Sequence, residues 1–197
     1  MLRKIRSLVS NSDYFGIYDN ALSKKECEIL INQFEKSSHV KGVTASGHNP
    51  KLKNCLEKGY NFKDESVVSN ILRPVLIKCI GKYADKYSSS LDKIADWKYT
   101  DSYNFQKYEN EDDGYFSWHC EQAGKDPASR RILAWMFYVN DAKSGTEFMY
   151  YPTIRARMGR CVIWPSSWTH VHKGVTPNKG LKYITTGWIS YYDSNFS

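Results

Sequence analysis

The feature that most constrains this chain is a change of period near residue 97. Before it, apolar residues recur at helical spacing; after it, short β-type runs alternate with turn residues. Ser23-Lys24-Lys25-Glu26 reads as a capping box, and Cys27, Leu30, Ile31 and Phe34 follow it at helical spacing, predicting a helix over 24–37. A second helix is expected over 64–87, with Val68, Leu72, Val75, Leu76, Cys79 and Tyr83 on one broad face. Pro74 lies inside it and should kink or divide it. The later runs are 97–108, 132–140, 146–150, 161–164 and 183–192, punctuated by Gly114, Gly145, Gly159, Gly174, Gly180 and Gly187. Two helices followed by many short strands give an α+β order whose second half is a sandwich or barrel.

The remaining segments are less patterned. Residues 1–12 read as a loose arm and 14–18 as a short strand. Residues 39–63 read as loop or short strand, and as mobile, because Gly42, Gly47, Pro50 and Gly59 fall among lysines and asparagines. No repeat, low-complexity segment or linker divides the chain. We expect one domain over 1–197: an arm (1–12), helical support and loop (13–96) and the β-rich half (97–192).

Composition narrows the partners. The chain has 197 residues and a formal net charge of +7, and its basic clusters at 2–6, 51–63 and 155–160 contain no long like-charge run. A nucleic-acid partner is therefore not indicated, and small anionic substrates are compatible. The five cysteines are widely spaced without a CxxC, which predicts reduced thiols rather than a disulfide framework. With no apolar leader and no stretch of 18 apolar residues, a cytoplasmic protein without membrane contact is expected.

The chemistry gathers in the β-rich half. His119 and Glu121 stand two apart, so on a strand both point to one face. His170 follows the run CVIWP. If the two strands are neighbours, two imidazoles and one carboxylate cover one face of an octahedral metal and leave three positions open, as in non-haem iron oxygenases. A zinc hydrolase could use the same three ligands. Lys182 alternates with Ile184 and Thr186, so it points into a barrel and needs an anionic partner there. His39 and His48 lie in the loop and receive no role.

With these residues in place, the segment from Tyr103 to Trp188 resembles the catalytic core of the 2-oxoglutarate and Fe(II)-dependent dioxygenases, in the prolyl 4-hydroxylase-like branch. The string YDNALSKKECEILI is similar to that branch's entry helix, and the small forms of bacteria and bacteriophages are the nearest in kind. The resemblance implies a double-stranded β-helix, the jelly-roll or cupin class, with N-terminal helices packed on one sheet. It implies Fe(II) on His119, Glu121 and His170, with His172 a neighbour set aside on the spacing from Pro165. It implies 2-oxoglutarate as co-substrate, its far carboxylate held by Lys182, Tyr108 and Thr146, with O2 as oxidant and ascorbate as a further cofactor. Arg131 and Trp188 would face substrate, Tyr138 matches a strand tyrosine, and Tyr115 would line the mouth. From the residues alone, Tyr108 and Trp188 also fit as core aromatics, Thr146 as a turn residue, Arg131 as a strand-edge charge and Tyr115 as an exposed loop aromatic.

Two positions depart from the family pattern. The carboxylate is Glu121 where aspartate is usual, and Ser190 stands where a histidine is expected. The implied reaction is hydroxylation of a peptide or protein substrate, peptidyl proline above others, with release of succinate and CO2. The rival readings are an oxygenase acting on a nucleobase, a free amino acid or a ribosomal protein, and a cupin-like binding module without catalysis. The 39–63 loop could serve as a lid.

Overall fold

The computed structural model describes residues 13–44, 47–177 and 180–192. The arm expected at 1–12 lies outside the described residues, as does the basic cluster at 2–6. The elements run β1 (Gly16–Tyr18), α1 (Lys24–Glu35), β2 (Val40–Lys41), β3 (Lys53–Asn54), β4 (Leu56–Asn61), α2 (Val67–Lys86), α3 (Ser88–Leu91), β5 (Trp97–Tyr108), β6 (Gly114–Tyr115), β7 (Arg131–Tyr138), β8 (Gly145–Phe148), β9 (Ile154–Arg155), β10 (Arg160–Pro165), β11 (His172–Val175) and β12 (Lys182–Tyr191). No helix among the described residues is long and apolar enough to cross a membrane.

Helix α1 starts where the capping box placed it. The Glu26 amide donates to Ser23 Oγ at 3.3 Å, and the Ser23 amide donates to Glu26 Oε2 at 2.7 Å. Helix α2 is not divided at Pro74 and continues through it to Lys86. An interior proline costs roughly 3 kcal/mol. Burial of Leu72, Leu76, Cys79 and Tyr83 against the sheet outweighs it, since each large apolar side chain gains about 1.5–3 kcal/mol on leaving water.

Seven strands form the major sheet in the order β1-β10-β7-β12-β5-β4-β2, with antiparallel neighbours throughout. Facing it are the small sheets β11-β8-β9 and β3-β6. This is the double-stranded β-helix expected, with the helices on one sheet. Side-chain alternation divides the major sheet into two faces. Leu133, Trp135 and Phe137 of β7, Cys161 and Ile163 of β10, and Tyr103 and Phe105 of β5 pack beneath α1 and α2. Ala134, Met136, Tyr138, Val162, Trp164, Tyr108 and Ile184 face the barrel interior. Gly187 keeps the helix side closed: a Cβ there would stand 2.5 Å from the Trp135 ring. The β12–β5 register then shifts between Gly187 and Ile189.

The segment 39–63 carries three short strands, β2, β3 and β4, joined by turns and irregular chain. Strand β4 pairs with β5 from Leu56↔Lys107 to Asn61↔Ser102. Its outward residues Leu56 and Tyr60 join the helix-side core, while its inward residue is a buried glutamate, Glu57. A charged residue at the inward position hides the strand's amphipathic alternation from a sequence reading.

Candidate active site

The barrel mouth opens into a cavity of about 560 Å³, lined among others by His119, Glu121, His172, Arg131, Trp188, Tyr108, Thr146 and Lys182. The titratable groups gather at one end. His119, Glu121 and His172 bring one ligand atom each within 4.8 Å of one another. Glu121 Oε1 stands 3.8 Å from His119 Nε2 and 3.5 Å from His172 Nε2. The two histidines form an isolated antiparallel bridge, with His119 N to His172 O at 3.0 Å and His172 N to His119 O at 2.9 Å.

Each ring is aimed by its other nitrogen. His119 Nδ1 lies 2.9 Å from the Ser117 carbonyl, and His172 Nδ1 lies 2.8 Å from the His170 carbonyl. A carbonyl accepts only, so both Nδ1 atoms carry the proton and both Nε2 atoms present a lone pair. That is the outer-shell pattern of metal-binding histidines. Burial alone would raise the Glu121 carboxyl; the neighbouring His119 and His172 outweigh it and hold it well below the usual carboxylate range. Two imidazoles and one ionised carboxylate suit a first-row metal such as Fe(II), and they fit the group that the sequence implies.

The assignment of His170 needs correction on geometry. Its Nε2 lies 3.0 Å from the Asp13 carbonyl, its Nδ1 lies 2.9 Å from Thr169 Oγ1, and its ring stacks on Tyr151. Those contacts turn it away from the cluster and pin the segment before β1. A 3₁₀ turn over Trp168–His170 takes up the residues after Pro165, so the chain re-enters the sheet at His172. Residues 170 and 172 have the same parity, so alternation could not separate them. The usable signal was that His172 opens the β-type run HKGV whereas His170 falls in a turn.

Lys182 projects inward as expected. Its ammonium donates to the Val175 carbonyl at 2.7 Å and lies 4.3 Å from the Tyr108 ring centroid. It forms no ion pair among the described residues, and burial drives its pKa down to about 7. The Tyr108 hydroxyl donates to Gln106 Oε1 at 2.8 Å, and Thr146 Oγ1 is 2.6 Å from the Tyr138 hydroxyl. Both expected hydroxyl residues therefore line the same cavity as Lys182. Burial raises the Tyr108 hydroxyl well above its ordinary value.

On the open side, the Arg131 guanidinium lies 3.6 Å from the centroid of the Trp188 ring. Arg131 Nη1 donates to the Glu121 carbonyl at 3.0 Å, and Trp188 Nε1 donates to Glu121 Oε2 at 2.7 Å. Tyr115 stacks on His119 with centroids 3.8 Å apart.

Sequence reasoning missed a buried polar chain along one wall. Lys53 Nζ donates to Glu57 Oε2 at 2.5 Å and to the Val43 carbonyl at 3.1 Å, while the Val43 amide donates to Glu57 Oε1 at 2.9 Å. Only the i, i+4 spacing of Lys53 and Glu57 marked them, and in a segment read as loop that spacing carries no weight.

Comparison with known proteins agrees with this geometry. Residues 103–190, from within β5 to near the end of β12, match the family model described as 2OG-Fe(II) oxygenase superfamily. This match falls on the segment whose sequence resembles the 2-oxoglutarate and Fe(II)-dependent dioxygenases. Among solved structures, the viral collagen prolyl hydroxylase of Paramecium Bursaria Chlorella virus-1 superposes with a TM-score of 0.64 at 19% identity, covering 93% of this chain and 99% of that one. A prolyl hydroxylase from Trichoplax adhaerens, in complex with a hypoxia inducible factor peptide fragment, gives 0.72 at 16% identity over 95% and 89%. The non-heme alpha ketoglutarate dependent epimerase SnoN from nogalamycin biosynthesis gives 0.59 at 12% identity over 97% and 84%. At these identities the likeness is one of fold. A search of curated proteins finds no match.

Proposed function

We propose that this chain is an Fe(II)- and 2-oxoglutarate-dependent dioxygenase that hydroxylates peptidyl proline and releases succinate and CO2. The observation that carries the reading is Lys182: a buried ammonium without a carboxylate partner among the described residues, in one cavity with two aimed imidazoles and an ionised carboxylate. A dicarboxylate that also reaches the metal would supply the missing anion.

In this reading His119, Glu121 and His172 hold the metal. Fe(II), with 2-oxoglutarate and O2, supplies the oxidising chemistry; the protein supplies position and a dry cavity. Lys182 holds the far carboxylate of the co-substrate as a point charge, and the hydroxyls of Tyr108 and Thr146 fix its direction. Tyr115 covers one face of His119 and narrows access to the metal-facing nitrogen. Arg131 and Trp188 edge the open side where substrate arrives. Ascorbate, which keeps such iron reduced, belongs to the same proposal, as does a location in the cytoplasm. A proline-containing peptide is favoured because two of the fold's relatives above are prolyl hydroxylases, one carrying a peptide; an extended polyproline segment is also preorganised for a groove.

The experiment is anaerobic addition of Fe(II) and 2-oxoglutarate, followed by O2 and peptides with Pro-Gly or Pro-Ala repeats. The expected result is a visible charge-transfer band from the chelate, then succinate and one added oxygen on proline. Succinate without peptide oxidation, together with oxidation of a small molecule such as a free amino acid or a nucleobase, would overturn the proline assignment. No chelate band and no succinate would leave a binding module.

A further inference from the structure

We infer that Trp188 is a positioning residue: its indole N–H caps one oxygen of Glu121 and restricts that carboxylate to a single metal bond. The inference rests on the metal site proposed above. The two carboxylate oxygens have different partners. Oε1 faces both imidazole Nε2 atoms, at 3.8 and 3.5 Å, whereas Oε2 accepts from Trp188 Nε1 at 2.7 Å.

The indole is itself held. Arg131 lies flat on it at 3.6 Å and donates to the Glu121 carbonyl at 3.0 Å, with its Nη1 3.7 Å from Oε2. A closed circuit therefore runs from the Glu121 main chain through Arg131 and Trp188 back to the Glu121 side chain. The register shift in β12 after Gly187 falls at the residue that completes it.

The tether matters because this ligand is a glutamate. Glutamate has one more rotatable bond than aspartate, so an untethered carboxylate can turn to offer both oxygens. Two nitrogens and one oxygen leave about three positions of an octahedral metal open; a second oxygen would leave about two. An oxygenase that must seat a bidentate co-substrate and O2 needs all three. Outer-shell hydrogen bonds are the usual means of fixing a ligand's mode.

The test counts open positions on a redox-silent metal. Water-proton relaxation is measured on the full chain loaded with Mn(II), for the parent, Trp188→Phe, Glu121→Asp and the double variant. The parent is expected to hold about three exchangeable waters and Trp188→Phe about two, a fall of roughly one third in relaxivity. Glu121→Asp, too short to reach the indole, should make Trp188→Phe silent in the double variant. Unchanged relaxivity in Trp188→Phe overturns the inference. Absence of Mn(II) binding in the parent overturns the metal site itself, and the inference with it. Should Trp188→Phe fail to fold, the indole N–H resonance of the Zn(II)-loaded parent decides. Continued protection from solvent exchange on loading supports the cap, and loss of protection overturns it.

Discussion

The two faces of the major sheet come from the same strands and do opposite things. Toward the helices, Trp135, Phe137, Tyr103 and Phe105 pack against Phe34, Phe62 and Leu72 with little polar content. Toward the barrel, alternate residues of those strands leave a cavity edged by a buried ammonium, a carboxylate and two aimed imidazoles. One residue of strand offset separates apolar packing from chemistry. Stability and ligand binding should therefore be separable by substitution on alternate positions of a single strand.

The largest break on the helix side is Trp135→Ala. Trp135 is fully buried, and truncating a large aromatic side chain in a core costs about 3–5 kcal/mol. Urea unfolding should show that loss, while the fraction that stays folded keeps its metal affinity. On the barrel side, His172→Ala should abolish Mn(II) binding in equilibrium dialysis with a smaller loss of stability. His170→Ala should do the reverse: metal retained, and about 1–3 kcal/mol lost as the bond to the Asp13 carbonyl goes. If dialysis finds the metal lost in His170→Ala and kept in His172→Ala, the geometry assigned to the site is wrong.

Lys182 sharpens the comparison through pH. Its folded pKa, about 7, lies below its ordinary 10.5, so between those values the unfolded chain binds more protons. The stability cost of this lysine is full below about 7 and shrinks as pH rises toward 10.5. Lys182→Met should therefore be more stable than the ligand-free parent at neutral pH, with the gap narrowing by pH 9. The same variant should need at least about tenfold more 2-oxoglutarate, the usual scale for losing a charged hydrogen bond. Equal urea midpoints at every pH, or an unchanged 2-oxoglutarate requirement, would remove Lys182 from the role. Smallest is Ser23→Ala at the α1 cap, expected to cost about 1 kcal/mol in thermal melts and to leave every ligand untouched.

What could be read from the chain followed the same division. Helix α1, strands β5, β7, β8, β10 and β12, and the inward side of Lys182 were legible because local period and capping decide them, whereas the short strands β6, β9 and β11 carry too few residues to show a period. Helix α2 was legible in extent, but not in its passage through Pro74, which tertiary burial settles. Strand β4 was hidden by Glu57, whose partner Lys53 is visible only once the strand is folded. The choice between His170 and His172 depended on a 3₁₀ turn, and the one local trace of it is the β-type run that His172 opens.

The reciprocal amide bonds between His119 and His172 carry a consequence for exchange. Two segments far apart in sequence are locked there by main chain alone, before any ion arrives. The entropy of gathering the two rings is thus met during folding, so metal loading should be fast and should release little additional order. Stripping the ion should leave these two amides about as slow to take up deuterium as before, so a chelator would empty the site without loosening it.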